Sequence, residues 1–176
     1  LGPSPWVCPH RDDGDDVDHV LVVPLPDPAE PIETTSPNPF VRYRRRLASW
    51  QAATAGGMSD DAFVALVGDL DARIAAVDGT GFRVTPYVSH PRLAEAIGAR
   101  ELWAKDETGN VAGSHKGRHL MGLAIWLAVR AEVADDDDEL TARLAISSCG
   151  NAALAAATIA RAMGRDLDVF VPSWAD

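Results

Sequence analysis

Between Arg100 and Val171 short strand-like runs alternate with longer helical ones. Arg100 to Lys105 (RELWAK) reads as a strand, His115 to Val133 as a long helix and Arg143 to Ser147 as a second strand. Ala152 to Met163 reads as a helix, and Leu167 to Val171 (LDVFV) as a third strand. Strand, helix, strand, helix, strand implies right-handed crossovers and a parallel sheet with flanking helices, hence an α/β domain. The long helix carries Leu120, Met121, Leu123, Ile125, Trp126 and Leu127 and is apolar nearly all round, as a helix packed within a larger body should be.

Upstream the pattern differs. Residues 1–39 hold most of the prolines, an acidic cluster from Asp12 to Asp18 and one apolar run, His19 to Val23, so an irregular arm with one strand is expected. Cys8 and His10, with His19 beyond, lack the second ligand pair of a structural metal site, and no metal is expected. Phe40 to Ala55 reads as a helix ended by Gly56-Gly57; its Arg42, Arg44, Arg45 and Arg46 make a solvated face that pairs with the protein's own carboxylates. The next helix has Ser59 as its cap, Asp60 and Asp61 at its positive end, and an apolar face of Phe63, Leu66, Val67, Leu70, Ile74 and Val77, with Gly79 as its stop. The expected organisation is an arm over 1–39, a helical extension over 40–81 and an α/β region over 82–176. The aspartates from Asp135 to Asp138 read as a solvated loop.

The chain has 176 residues and is 47% hydrophobic, enough for a sizeable core. A formal charge of -10 repels phosphates, which argues against nucleic-acid or anionic-membrane partners. No run approaches the roughly 20 apolar residues that span a bilayer, and Cys8 and Cys149 are isolated thiols suited to a reducing compartment. A cytoplasmic protein is expected. The chain stops at Asp176 just after an expected strand, which suggests a longer natural protein.

In parallel sheets ligands gather beyond the carboxyl ends of the strands. Two loops leave such ends and enter helices: KDETGNVAGSHKG, Lys105 to Gly117, and SSCGNAA, Ser147 to Ala153. Their small residues let backbone N–H groups approach a ligand, and each feeds a helix whose positive end favours an anion. A lysine in a helix's first turn feels the repulsive end of the macrodipole, and burial further disfavours its charge. Lys116 is thereby a candidate nucleophile toward an aldehyde; the alternative is an ordinary exposed lysine. A P-loop fails on spacing, because Lys116 precedes Gly117 where Ser or Thr is required.

NVAGSHK resembles the Asn-x-x-Gly-Ser-x-Lys motif, and SSCGNA the Ser-x-Gly-Asn motif, of the fold-type II pyridoxal phosphate enzymes, the tryptophan synthase β superfamily. VTPYVSHPRLAEAIGARELWAKDE, Val84 to Glu107, resembles that family's Thr-Pro-Leu opening, short helix and strand before the lysine loop. The resemblance covers about Phe82 to Asp176. The helical extension and NPFVRYRRRL, from Asn38, are most similar to threonine synthases.

The resemblance implies pyridoxal 5'-phosphate bound through a Schiff base to Lys116, whose amine, once freed, takes the Cα proton of a small amino-acid substrate. It implies that Asn151 holds the ring's 3'-hydroxyl and that Ser148, Cys149, Asn151 and Ala152 surround the substrate carboxylate. Ser114 is implied to help near the cofactor phosphate or the substrate, and the full-length protein to be a homodimer. Departures accompany this. His115 and Gly117 stand where apolar or aromatic and acidic residues are usual, and Ala152 replaces a Thr, which is closer to serine dehydratases. The family's downstream glycine-rich phosphate loop and its ring-nitrogen partner have no counterpart in these 176 residues. Three readings follow: a lyase or synthase of the threonine synthase or dehydratase kind, a non-catalytic fragment that keeps the fold, and a nucleotide- or phosphate-binding domain.

Overall fold

The computed structural model describes residue 8, residues 10–17, 19–20 and 32, and residues 35–133 and 143–175. Most of the run from His19 to Val23, and all of Asp135 to Asp138, lie outside those residues.

Helix α1 (Pro39–Arg42) starts at Asn38, whose side-chain oxygen accepts the Phe40 N–H at 2.9 Å. A 3-10 turn follows at Arg44–Arg46, and α2 (Ala48–Ala55) restarts the helix. The single helix expected over Phe40 to Ala55 is thus broken. Leu47 is extended at φ -93°, ψ 134°, and Arg44 makes bonds that favour the break. Its guanidinium donates to Val41 O at 3.0 Å and to both carboxylate oxygens of Asp60, while Trp50 Nε1 donates to that carboxylate at 2.9 Å. One Asp60 side chain therefore pins the 3-10 turn and α2 to the head of α3 (Asp60–Asp78).

Helix α3 begins and ends as its sequence requires. Ser59 Oγ accepts the Ala62 N–H at 3.2 Å, and Gly79, at φ 88°, takes the left-handed conformation that closes the helix. Phe63, Val67, Leu70 and Ile74 are buried, and Leu66 packs beside them. Val77, expected on that face, is 41% exposed because the last turn overhangs an open surface groove.

Strand β1 (Tyr87–Ser89), helix α4 (Pro91–Ala96) and strand β2 (Trp103–Lys105) follow. β1 and β2 pair antiparallel with Val88 opposite Ala104, and the Tyr87 and Trp103 rings stack diagonally at 5.3 Å. Helix α5 (Lys116–Val133), strand β3 (Leu144–Ser147), helix α6 (Asn151–Met163) and strand β4 (Leu167–Phe170) complete the order. β3 and β4 are parallel, with Ile146 opposite Val169.

The architecture is mixed α/β, with two two-stranded sheets among the described residues. The parallel crossover is present in β3–α6–β4, but β2 does not join it. Its ladder is taken by β1 and extended by His90 N–H to Leu102 O (2.8 Å) and Asp106 N–H to Pro86 O (3.0 Å). β1 is three residues long and flanked by Pro86 and by His90-Pro91, too short to show a period.

One hydrophobic core joins helices that precede and follow the β1–β2 ribbon in sequence. Phe63, Val67, Leu70 and Ile74 of α3 belong to it with Met121, Ile125 and Val129 of α5 and Ile159 of α6. Each such side chain contributes roughly 1.5–3 kcal/mol by burial. Phe40 and Phe82 meet edge to face at 5.2 Å. Gly56 has no room for a side chain, since a Cβ there would lie 2.7 Å from Val133 Cβ, so the end of α2 presses directly on the end of α5. The orientation of α5 is therefore set by helices far from it in sequence.

Candidate active site

The segment from β2 to α5 is shaped by its own side chains. Asp106 accepts the Thr108 N–H (2.9 Å) and hydroxyl (2.6 Å), and these Thr108 bonds hold its carboxyl below the usual range. Val111–Gly113 form a 3-10 turn in which Ala112 sits at φ 55°, ψ 27° and Gly113 at φ 63°. A left-handed alanine is strained by about 1–2 kcal/mol, and it is retained here by a bond from its N–H to Asp78 Oδ1 at 3.0 Å. Asn110 Nδ2 donates to Ser114 O at 2.7 Å and closes the turn from inside.

Lys116 is the first residue of α5, and its side chain is exposed. The next position must be glycine: a Cβ on Gly117 would lie 2.6 Å from the Val111 carbonyl oxygen. An acidic residue there would push the helix off the turn. Lys116 lines a cavity of about 420 Å³ between α5, α6 and the β3–β4 sheet, together with His119, Leu120, Ile146 and Ala152. That volume lies within the roughly 300–1,000 Å³ typical of small-ligand sites. Ser114 and Asn110 are buried, and Ser114 Oγ and Asn110 Oδ1 have no hydrogen-bond partner among the described residues. Unpaired buried polar atoms are costly; these two lie in the turn that precedes Lys116 and do not line the cavity.

The second loop follows β3. Ser148 Oγ accepts the Gly150 N–H at 3.3 Å, Cys149 is exposed, and Asn151 opens α6, also exposed. The structure thus brings Lys116 and Ala152 to one cavity. Ser148 and Cys149 precede α6, Asn151 opens it, and none of the three lines that cavity; Ser114 is buried in the turn before Lys116.

Reasoning from sequence missed a cluster next to this site. Arg118, in the first turn of α5, donates from Nε to Glu107 Oε2 (2.7 Å) and from its terminal nitrogen to Thr85 Oγ1 (3.1 Å) and Arg83 O (3.0 Å). Thr85 also donates to Glu107 Oε1, and Lys105 Nζ donates to Thr85 O. Burial alone would raise the Glu107 carboxyl, but the Arg118 guanidinium and Thr85 hydroxyl outweigh it and hold the group below its ordinary value. The available signal was an acid at the exit of β2 and a base two residues after Lys116, which reads as ordinary surface charge without the fold.

The arm holds another group of titratable side chains. His19 Nδ1 lies 3.3 Å from Cys8 Sγ, and its Nε2 lies 2.6 Å from Asp15 Oδ2. The His10 backbone N–H and the His19 ring lower the Cys8 thiol, and the Cys8 and Asp15 contacts raise the His19 imidazole. Among the described residues no group of three or more His, Cys, Asp or Glu side chains that could hold a metal occurs.

A turn containing Gly113 delivers Lys116 to a helix start and to a cavity shared with a second strand-to-helix crossover. The family model described as pyridoxal-phosphate dependent enzyme matches residues 79–176, more than half of the chain, and the chain belongs to that family. Pyridoxal 5'-phosphate is accordingly its cofactor. No curated protein and no solved structure matches the chain. The residues present fit the cofactor: Lys116 lines a mainly apolar cavity, and Ser114, two residues before it in the chain, has a buried hydroxyl without a hydrogen-bond partner among the described residues. Among the described residues no helix is long and apolar enough to cross a membrane.

Proposed function

We propose that this chain carries the lysine half of a lyase or synthase acting on a small amino acid, in the manner of threonine synthases. The observation that carries the reading is Lys116 in the first turn of α5, facing the cavity it shares with Ala152 of α6. Lys116 would hold the cofactor through its Nζ, bonded to the aldehyde carbon with loss of water. When bound, the cofactor supplies an electron sink for charge developing at the substrate Cα. Lys116 Nζ would take the Cα proton of the substrate and return it later. Asn151 orients the cofactor ring from the head of α6, and Ser114 offers its buried hydroxyl to the cofactor or substrate. Ser148, Cys149 and the N–H groups at the head of α6 receive the substrate carboxylate, where the helix dipole favours an anion.

A serine or threonine dehydratase is the second reading, favoured by the methyl group of Ala152 on the cavity wall where the synthases usually carry Thr. The protein is further proposed to be cytoplasmic and, at full length, a homodimer.

The test uses the longest natural product of the gene mixed with pyridoxal 5'-phosphate. A visible absorption band is expected in the wild type and absent in Lys116→Ala; a band of equal strength in both, or in neither, refutes the role of Lys116. Amino-acid profiling then separates the two reactions, since keto-acid release marks a dehydratase and phosphate release from a phosphorylated substrate marks a synthase.

A further inference from the structure

The first turn of α5 is a poor place to leave a nucleophile unsupported. It follows two consecutive left-handed residues, Ala112 and Gly113, and it presses on the Val111 carbonyl so closely that only glycine fits at 117. The N–H of Ala112 is held by Asp78, and Asn110 holds Ser114 O, but both anchors act on the turn before the helix. Within the helix's first turn, Lys116 and His119 are exposed, and Arg118 reaches back to the rest of the protein.

Arg118 reaches back in three directions at once. Its guanidinium joins Arg83 O and Thr85 Oγ1, before β1, to Glu107 Oε2, after β2. Thr85 closes the triangle by donating to Glu107 Oε1, so the carboxylate is held on both oxygens. The Glu107 side chain is 15% exposed and that of Arg118 24%, which favours a fixed geometry over a solvated pair. A planar fork held by three acceptors fixes the rotation of the turn that carries it, which a lysine ammonium at 118 would not do.

We propose that Arg118 is a positioning residue for Lys116, acting through Glu107 and Thr85 to set where the Lys116 amine meets the cofactor aldehyde. This rests on the reading of Lys116 as the cofactor lysine. Glu107 and Thr85 serve the same end, and none of the three needs to touch the cofactor.

The sequence makes the test clean, because Lys105 and Lys116 are its two lysines. The protein is incubated with saturating pyridoxal 5'-phosphate, reduced with borohydride at timed intervals and digested. Mass spectrometry gives the rate of labelling at Lys116, with the N-terminal amine as internal reference. Arg118→Met, Arg118→Gln and Glu107→Gln are expected to slow Lys116 labelling tenfold or more, and the Arg118→Met, Glu107→Gln double variant to be no slower than either single. Thr85→Val, which removes one hydroxyl and no charge, is expected to slow it two- to threefold and stands in if the charge variants fail to fold. Asp60→Asn, which weakens a distant ion pair, should leave the rate unchanged and serves as the control for general loss of stability.

The slowing should persist at pH 10.5, where about half of a free lysine amine is neutral, because the defect is one of position. Wild-type rates in folded Arg118 and Glu107 variants overturn the proposal, as does a slowing shared equally by Asp60→Asn or abolished at high pH. A wild-type protein labelled at Lys105 or the N-terminus but not at Lys116 would instead overturn the assignment of the cofactor lysine itself.

Discussion

At Gly117 a single hydrogen atom decides the geometry of the site. The Val111 carbonyl comes so close that a methyl group must displace either the 3-10 turn or the helix start, and both are already committed by Ala112 and Arg118. Gly117→Ala is expected to cost about 1–3 kcal/mol as an overpacking defect and to impair cofactor labelling at Lys116. Chemical denaturation and borohydride labelling measure the two effects; a variant as stable and as readily labelled as wild type would show that the turn relaxes freely. The family's usual acidic residue is excluded here by the same contact.

Among the elements, the most informative junction is the head of α3. Asp60 gathers Arg44 and Trp50, and the Arg44 guanidinium, with help from Trp50, lowers the Asp60 carboxyl to about 2. A depressed carboxyl stabilises the fold above its unfolded pKa and loses that contribution as pH falls through the folded value. Stability should therefore decline between about pH 4 and pH 2 by on the order of 1 kcal/mol from this site, discounted because the Asp60 side chain is 41% exposed. Thermal midpoints across that range should fall less steeply in Asp60→Asn than in wild type; equal slopes would remove the pair from the account. The helix breaks that allow this junction follow from Leu47 being extended between the 3-10 turn and α2.

Taken whole, the molecule places its lysine helix on a core that the N-terminal helices help to build. Phe63 is fully buried in that core, and Phe63→Ala is expected to cost about 3–5 kcal/mol. Because α3, α5 and α6 share the core, urea should unfold them in one transition. Tryptophan fluorescence, in which Trp50 and Trp126 of the five tryptophans pack against the core, and the far-ultraviolet helix signal should shift to lower urea together in this variant. Two separated transitions would mean that residues 40–81 fold independently of the region that holds Lys116.

The sequence by itself determined the local elements, because their signals are local. Ser59 and Gly79 bound α3, and the two loops that lead into α5 and α6 were legible as a pair, with Lys116 and Asn151 on helix starts. The parallel β3–α6–β4 unit was likewise written in its alternation. Only the tertiary structure decided what depends on segments meeting in space. It gave β2 an antiparallel partner too short to carry a period, and it divided the arginine helix through an ion pair sixteen positions away. It also brought Thr85, Glu107 and Arg118 together beside the lysine. Spacing along a chain reports on hydrogen bonds within a helix or strand, but the partner of a charge or a strand edge is chosen by packing, which no local pattern encodes.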